Sequence, residues 1–153
     1  MTIVRTMAVL VANGFDEAEF ISLQKMMREM GISMKIVSAN QGLVNGWNGS
    51  GWGHNYAVDA QLNTALGVDY DGVVIMSGER SHQKLETTAH TKRFVNSIVE
   101  SGKPVIAVAD AEDMMNRQGM MMGDNVMAGA WSDDFMTQMT DMLHNSDDMK
   151  QAA

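Results

Sequence analysis

The sequence predicts an α/β domain in three layers, with a mainly parallel central sheet, helices on both faces and a small hairpin. Two observations carry this reading. Short continuous apolar runs alternate with stretches of helical periodicity, the pattern of strands buried on both faces and the helices that cover them. The length, 153 residues, is that of one such domain, residues 1–153, large enough to bury a core without staples.

Met7-Ala8-Val9-Leu10-Val11 is apolar throughout and ends at Asn13-Gly14, so it reads as a buried first strand. Phe20, Leu23, Met27 and Met30 then recur at three- and four-residue steps, an apolar helical stripe that Gly31 stops. Ser33 to Val37 follows as a second strand. Gly42 to Asp59 holds five glycines with Trp47 and Trp52, which suits hairpin turns; a phosphate loop would need a strand directly before it and a helix directly after. Tyr70 to Met76 leads into a third strand that breaks at Ser77-Gly78. Phe94, Val95, Ile98 and Val99 mark the next helix, stopped by Gly102. Val105-Ile106-Ala107-Val108 is a fourth buried strand turning at Ala109-Asp110. A helix through Met114 and Met115, a short strand pair near Gly119 to Ala130, and a last helix with Phe135, Met139, Met142 and Leu143 on one stripe complete the chain.

Composition excludes several function classes. The chain has 11 Lys and Arg against 19 Asp and Glu, a formal charge of −8. That is no electrostatic footprint for nucleic acid or for an anionic membrane surface. Residues 109 to 153 hold nine of the acids, two of the basic residues and ten of the 17 Met. There is no Cys, so disulfides, thiolate metal sites and a cysteine nucleophile are all removed. No apolar run approaches the roughly 20 residues that span a bilayer, and Met1-Thr2-Ile3-Val4-Arg5-Thr6 is no secretory signal, so a cytoplasmic location is expected.

In an open parallel sheet the ligand crevice lies beyond the carboxyl ends of the strands, where strand order reverses. The loops expected there are Asn13 to Glu19, Ser77 to Arg80 and Ala109 to Asp113. Helix N-termini in the first and last would offer backbone N–H groups and a positive dipole end to a small anion or carbonyl oxygen. Asp16, Glu17, Glu112 and Asp113 read as capping and dipole partners. Glu19 sits one position before the stripe residue Phe20 and is expected to face the crevice. Desolvation there would raise its pKa unless Arg80 opposes the shift, and a chemical role stands beside a plain pairing to backbone or Arg80.

These residues resemble the ThiJ/PfpI superfamily, among the class I glutamine amidotransferase-like folds of flavodoxin-like architecture. The resemblance rests on Gly14-Phe15-Asp16-Glu17-Ala18-Glu19-Phe20, on Ser77-Gly78-Glu79-Arg80, and on Gly102-Lys103-Pro104 leading into Val105 to Val108. It covers nearly the whole chain and implies a nucleophile elbow at Ala109. There the chain departs from the family: active members carry Cys-His-Gly where this sequence has Ala109-Asp110-Ala111. Cysteine-dependent hydrolase, deglycase or glyoxalase chemistry is therefore not expected, since a methyl group has no lone pair with which to attack carbon. The elbow is similar to that of the ThiJ/PfpI-like domain ending large-subunit catalases, as are Arg117-Gln118-Gly119 and Ser132-Asp133-Asp134-Phe135-Met136. That domain is catalytically silent and linked with assembly and stability, so the resemblance implies a free-standing relative of it.

Three functional expectations follow. The first is a non-catalytic or weakly active, dimeric protein of binding or assembly, with a pocket of Gly14, Glu19, Gly78, Glu79, Arg80, Ala109 and Asp110 for a small molecule and no cofactor. The second is an enzyme using Glu19 or Asp110 as general acid or base, supported by Arg80 or His82. The third is a stress-related chaperone or holdase, which the resemblance implies by analogy to relatives and the acidic, Met-rich final third accompanies. His54, His82, His90 and His144 show no metal-ligand spacing, and His82 reads as a surface residue, with proton transfer beside Glu19 as the sharper alternative. Ser77 and Ser81 lack a serine-hydrolase elbow. Met120-Met121-Met122 and the series Met136, Met139, Met142 read as core filler before a Cu(I) site, with an oxidation sink as a further reading. Trp47, Trp52 and Tyr56 read either as an exposed patch for self-association or as core.

Overall fold

The computed structural model describes residues 4–152, with side chains over 4–144. The first three residues of the Met1–Thr6 start lie outside the described residues. The central sheet has six strands: β1 (Thr6–Val11), β3 (Ser33–Ser38), β6 (Ala60–Gln61), β7 (Val73–Ile75), β8 (Val105–Val108) and β9 (Val126–Gly129). They run in the order β6-β3-β1-β7-β8-β9, and every pairing is parallel. A second sheet joins β2 (Phe15–Asp16) to the antiparallel hairpin β4 (Leu43–Trp47) and β5 (Trp52–Ala57). The helices are α1 (Glu17–Glu29), α2 (Glu79–Leu85), α3 (Ala89–Glu100), α4 (Ala111–Arg117) and α5 (Asp133–Ala152).

The alternation of β1 divides the core. Ala8, Leu10 and Ala12 join Ile75, Ala107, Phe94, Ile98 and Met115 on one face of the sheet. Met7, Val9 and Val11 join Val74, Ile106, Phe20, Leu23, Met139 and Leu143 on the other. Because successive side chains of a strand point to opposite faces, an unbroken apolar run is what a sheet covered on both sides needs. Helices α1 and α3 end where Gly31 and Gly102 were read as stops, both at left-handed φ (73° and 74°) that a Cβ disfavours.

The two-residue strands β2 and β6 have no counterpart in the sequence reading, and two larger features differ from it. Gly119 to Ala130 forms no strand pair: the segment supplies one strand, β9, which pairs in parallel with β8 from Val105↔Val126 to Val108↔Gly129. A helix, α2, also follows Ser77-Gly78, where the sequence shows only a turn. Its seven residues turn Ser81, His82 and Leu85 inward, and two of those three are polar, so no apolar stripe announces it. Among the described residues no helix is long and apolar enough to cross a membrane.

Candidate functional site

Strand β1 has neighbours on both sides whose connections leave in opposite directions, so strand order reverses between β1 and β7. The loops after β1, β7 and β8 meet at that carboxyl edge. They enclose an open cavity of about 340 Å³ lined by Gly14, Asp16, Trp47, Ser77, Gly78, Glu79, Arg80, Ala109 and Asp110. Of the pocket residues expected from sequence, all but Glu19 line it directly.

Backbone contacts fix the loops against one another. The Gly14 N–H donates to the Asn45 carbonyl, and the Asp16 N–H to the Ser77 carbonyl, both at 2.9 Å. Gly14 (φ 100°) and Gly78 (φ 134°) are required here. A Cβ on Gly14 would collide with the Arg80 side chain, and one on Gly78 would press on Gly14 O and Phe15 Cα. Asp16 caps α1 as expected, accepting from the Glu19 N–H at 3.0 Å.

Glu19 lies beneath the cavity wall, half-buried, and its Oε1 accepts from the Ser77 hydroxyl at 2.5 Å. Burial pushes its carboxyl above the ordinary value, the Ser77 hydrogen bond opposes this, and the negative charges of Asp16 and Asp110 add to the rise. Arg80 does not pair with Glu19: its guanidinium lies over the Trp47 ring at 4.0 Å. The charge that could oppose the rise thus rests on an aromatic face, and the rise stands.

Ala109 has φ of 51°, and it is the one non-glycine at positive φ among the described residues. A strand running straight into a helix through a left-handed residue is a sharp elbow, and its N–H is held by the Gly129 carbonyl at 2.7 Å. The backbone of an elbow is present, with a methyl group at its tip. Asp110 stands at the N-cap of α4 without capping it. Its Oδ1 instead accepts from the Gly78 N–H at 3.2 Å, and its Oδ2 lies 3.7 Å from His82 Nδ1.

His82 is not on the surface, contrary to the sequence reading: it is 2% exposed. Its Nε2 is 2.7 Å from the Met76 carbonyl, which can only accept, so Nε2 carries a proton and Nδ1 faces Asp110. His82, Glu79, Asp110, Gln83, Glu86 and Arg117 line an adjoining cavity of about 380 Å³.

Sequence reasoning missed Glu17. It is buried rather than a solvated helix-start acid, and its Oε2 accepts from the Tyr56 hydroxyl (2.8 Å), the His54 N–H (2.8 Å) and the His54 ring (3.2 Å). Burial pushes its carboxyl up, but the hydrogen bonds from Tyr56 and His54 outweigh it and hold the group below its ordinary value. Gly46 and Gly53 give it room: a Cβ on either would strike the Glu17 side chain. The signal available in sequence was the pair of glycines flanking Trp47 and Trp52. Of the hairpin aromatics, Tyr56 packs on Phe15 and Phe20, whereas Trp47 and Trp52 form an edge-on pair with Trp52 55% exposed.

Each methionine series is divided between core and surroundings, as core filling requires. Met120 is buried while Met121 and Met122 face solvent, and on α5 Met139 is buried with Met136 and Met142 half-buried. Among the described residues no group of three or more His, Cys, Asp or Glu could hold a metal ion.

No curated protein matches the chain by sequence. Solved structures do match in fold. Toxoplasma gondii DJ-1 in its oxidized form superposes with a TM-score of 0.77 at 15% identity, covering 96% of this chain and 95% of that one. A two-domain protein from Anabaena variabilis, with DJ-1/ThiJ/PfpI-like and ferritin-like domains, gives 0.74 at 21% identity over 92% of this chain and 48% of its own length. The protein VC2308 gives 0.70 at 16% identity, with 79% of this chain spanning 61% of that one. The DJ-1/PfpI family model matches residues 5–143. With that match across the strands, the elbow and the crevice, the chain belongs to the DJ-1/PfpI family, as a member without cysteine.

Proposed function

We propose that this protein is a non-catalytic member of its family, a small-molecule-binding or assembly module related to the domain that ends large-subunit catalases. One observation carries the reading: the strained elbow backbone at Ala109 is kept while its side chain offers no attacking atom. The cavity beside it supports binding, with Ser77, backed by the Glu19 carboxyl beneath it, the Asp16 and Asp110 carboxylates and the Trp47–Arg80 wall as its polar and aromatic features. The catalase likeness rests on Ala109-Asp110-Ala111, and the Anabaena protein carries a domain of this kind fused to a ferritin-like one. Trp52 and Leu43, each 55% exposed on the hairpin, support a homodimer through that face; sedimentation of the purified chain should give twice the monomer mass, and Trp52→Ser should lower it.

A second reading has an observation of its own. Burial raises the Glu19 pKa from its ordinary value, and the carboxyl sits at hydrogen-bond distance from Ser77, a setting open to a general acid. One experiment separates the two. Purified protein incubated with a small 2-oxoaldehyde should leave it unconverted beyond the buffer rate, and a thermal-shift screen of small carbonyl and amide compounds should find stabilising binders. Turnover that disappears in Glu19→Gln would overturn the first reading in favour of the second.

A further inference from the structure

The triplet Met120-Met121-Met122 is divided by the way α4 ends. Gly119, at φ 64°, is the left-handed residue past the helix, and two bonds close the end around it: Gly119 N–H to the Asn116 carbonyl (3.2 Å) and Met120 N–H to the Met115 carbonyl (2.9 Å). This is the Schellman pattern, whose usual companion is an apolar contact between the residue after the glycine and the one five positions back. Those residues are Met120 and Met115, and both are buried in the same core cluster. The first thioether is thus consumed by the helix end.

The next two are turned outward and held there. The Met121 N–H donates to Asn96 Oδ1 at 2.8 Å. Beyond the loop, the Asn125 amide donates to the Val99 and Lys103 carbonyls at 3.1 and 2.6 Å. Met121 is 40% exposed and Met122 46%. Every other methionine with a described side chain is buried or half-buried. In a chain without cysteine, these are the accessible sulfur atoms of the described side chains.

We infer that Met121 and Met122 form a reversible oxidation site that takes peroxide-class oxidants. A thioether sulfur lone pair attacks one peroxide oxygen and an S–O bond forms as the O–O bond breaks. The departing oxygen takes the proton from the oxygen now bonded to sulfur and leaves as water from hydrogen peroxide, or as the alcohol from an alkyl hydroperoxide. Each sulfur loses two electrons and each peroxide gains them, so the pair consumes two peroxides per chain and becomes two sulfoxides. Both lie outside the core, so the added polarity costs no packing, whereas a sulfoxide at Met115 or Met120 would place an unpaired polar group among apolar neighbours. Reversal is the work of methionine sulfoxide reductases, one for each sulfoxide epimer, drawing on a dithiol.

The test is timed exposure of the folded protein to hydrogen peroxide, followed by peptide mass mapping. Met121 and Met122 should oxidise roughly tenfold faster than Met30, Met34, Met127, Met136 and Met142, and the preference should vanish in urea. Protein oxidised at these two positions should keep its melting temperature. Both reductases with dithiothreitol should restore the original peptide mass. Met121→Leu with Met122→Leu should remove the fast phase from that peptide and leave the other rates unchanged. Equal rates at the half-buried methionines, a melting temperature that falls as the pair oxidises, or sulfoxides that the reductases cannot reach would overturn the assignment.

Discussion

Removing the Glu17 carboxylate should release the β4–β5 hairpin from α1. In Glu17→Ala the Tyr56 hydroxyl and the His54 N–H lose a charged acceptor, and hydrogen bonds to charged groups contribute about 1.5–3 kcal/mol each. The third contact adds little, because the His54 side chain is 83% exposed and water replaces its partner. Relief of the buried charge and water reaching the half-buried Tyr56 reduce the gross figure, so the net loss should be about 2–3 kcal/mol. For a domain of this size that lowers the melting temperature by roughly 5–10 °C. Urea unfolding followed by tryptophan emission suits the question, since Trp47 and Trp52 lie on the hairpin. The pH dependence adds a second readout. The folded-state pKa of Glu17 lies below the ordinary 4.5, so its stabilisation is present above that value and lost as pH falls through the folded one. The variant should lack this acid-side loss. A variant within about 0.5 kcal/mol of the parent, with an unchanged acid limb, would refute the latch.

Glu19→Gln should behave in the opposite sense. The carboxyl pKa of Glu19 is raised, so its favourable contribution is present below 4.5 and is lost as pH rises through the folded value; the variant should melt higher than the parent at pH 7 and match it at pH 4 by calorimetry, and a lower melting temperature at pH 7 would contradict the assignment. Gly78→Ala should cost about 2–4 kcal/mol, because it combines positive φ with contact against Gly14 O and Phe15 Cα. Gly49→Ala, at φ 97° with open space around it, should cost only about 1 kcal/mol; equal losses by urea denaturation would show that the close approach of the two loops contributes nothing.

What the sequence made legible was periodic. The four inner strands β3, β1, β7 and β8, the stripes of α1 and α3 and the glycine stops repeat at the spacing of their geometry, and the loops that build the crevice follow from those strands; the edge strands β6 and β9 are too short for a pattern and were missed or misread. The polar contacts within the crevice have no such period. Ser77 meets Glu19 across 58 residues of sequence, and Tyr56 meets Glu17 across 39, each through a chain reversal. Asp110 reads as a crevice residue from its place after the fourth strand, but its partner, the Gly78 N–H on another loop, has no signature in the sequence. His82 reads as a surface residue because no helix is announced around it, whereas α2 turns it inward onto the Met76 carbonyl after β7.

Ala109→Cys would show whether the crevice can activate a nucleophile at the elbow. Alanine and cysteine share a Cβ, so the left-handed backbone strain is already present and the variant should fold with little change in stability. A thiol there would face Asp110 in the shared cavity, with Asp16 and Glu79 on its rim. The one lining cation, Arg80, rests on Trp47, and position 110 carries a carboxylate. Thiolates need neighbouring positive charge or a donor to form near neutrality. In this acidic field the introduced thiol should titrate above the ordinary value of about 8.5. Iodoacetamide alkylation followed by mass spectrometry should therefore run slower than for free cysteine at pH 7 and rise steeply only beyond pH 9. Faster alkylation at pH 7 would mean that the crevice still supports a nucleophile and that the methyl group alone silences it. Slow alkylation would mean that the charges lining the site, and not the missing thiol alone, keep the crevice from activating a nucleophile.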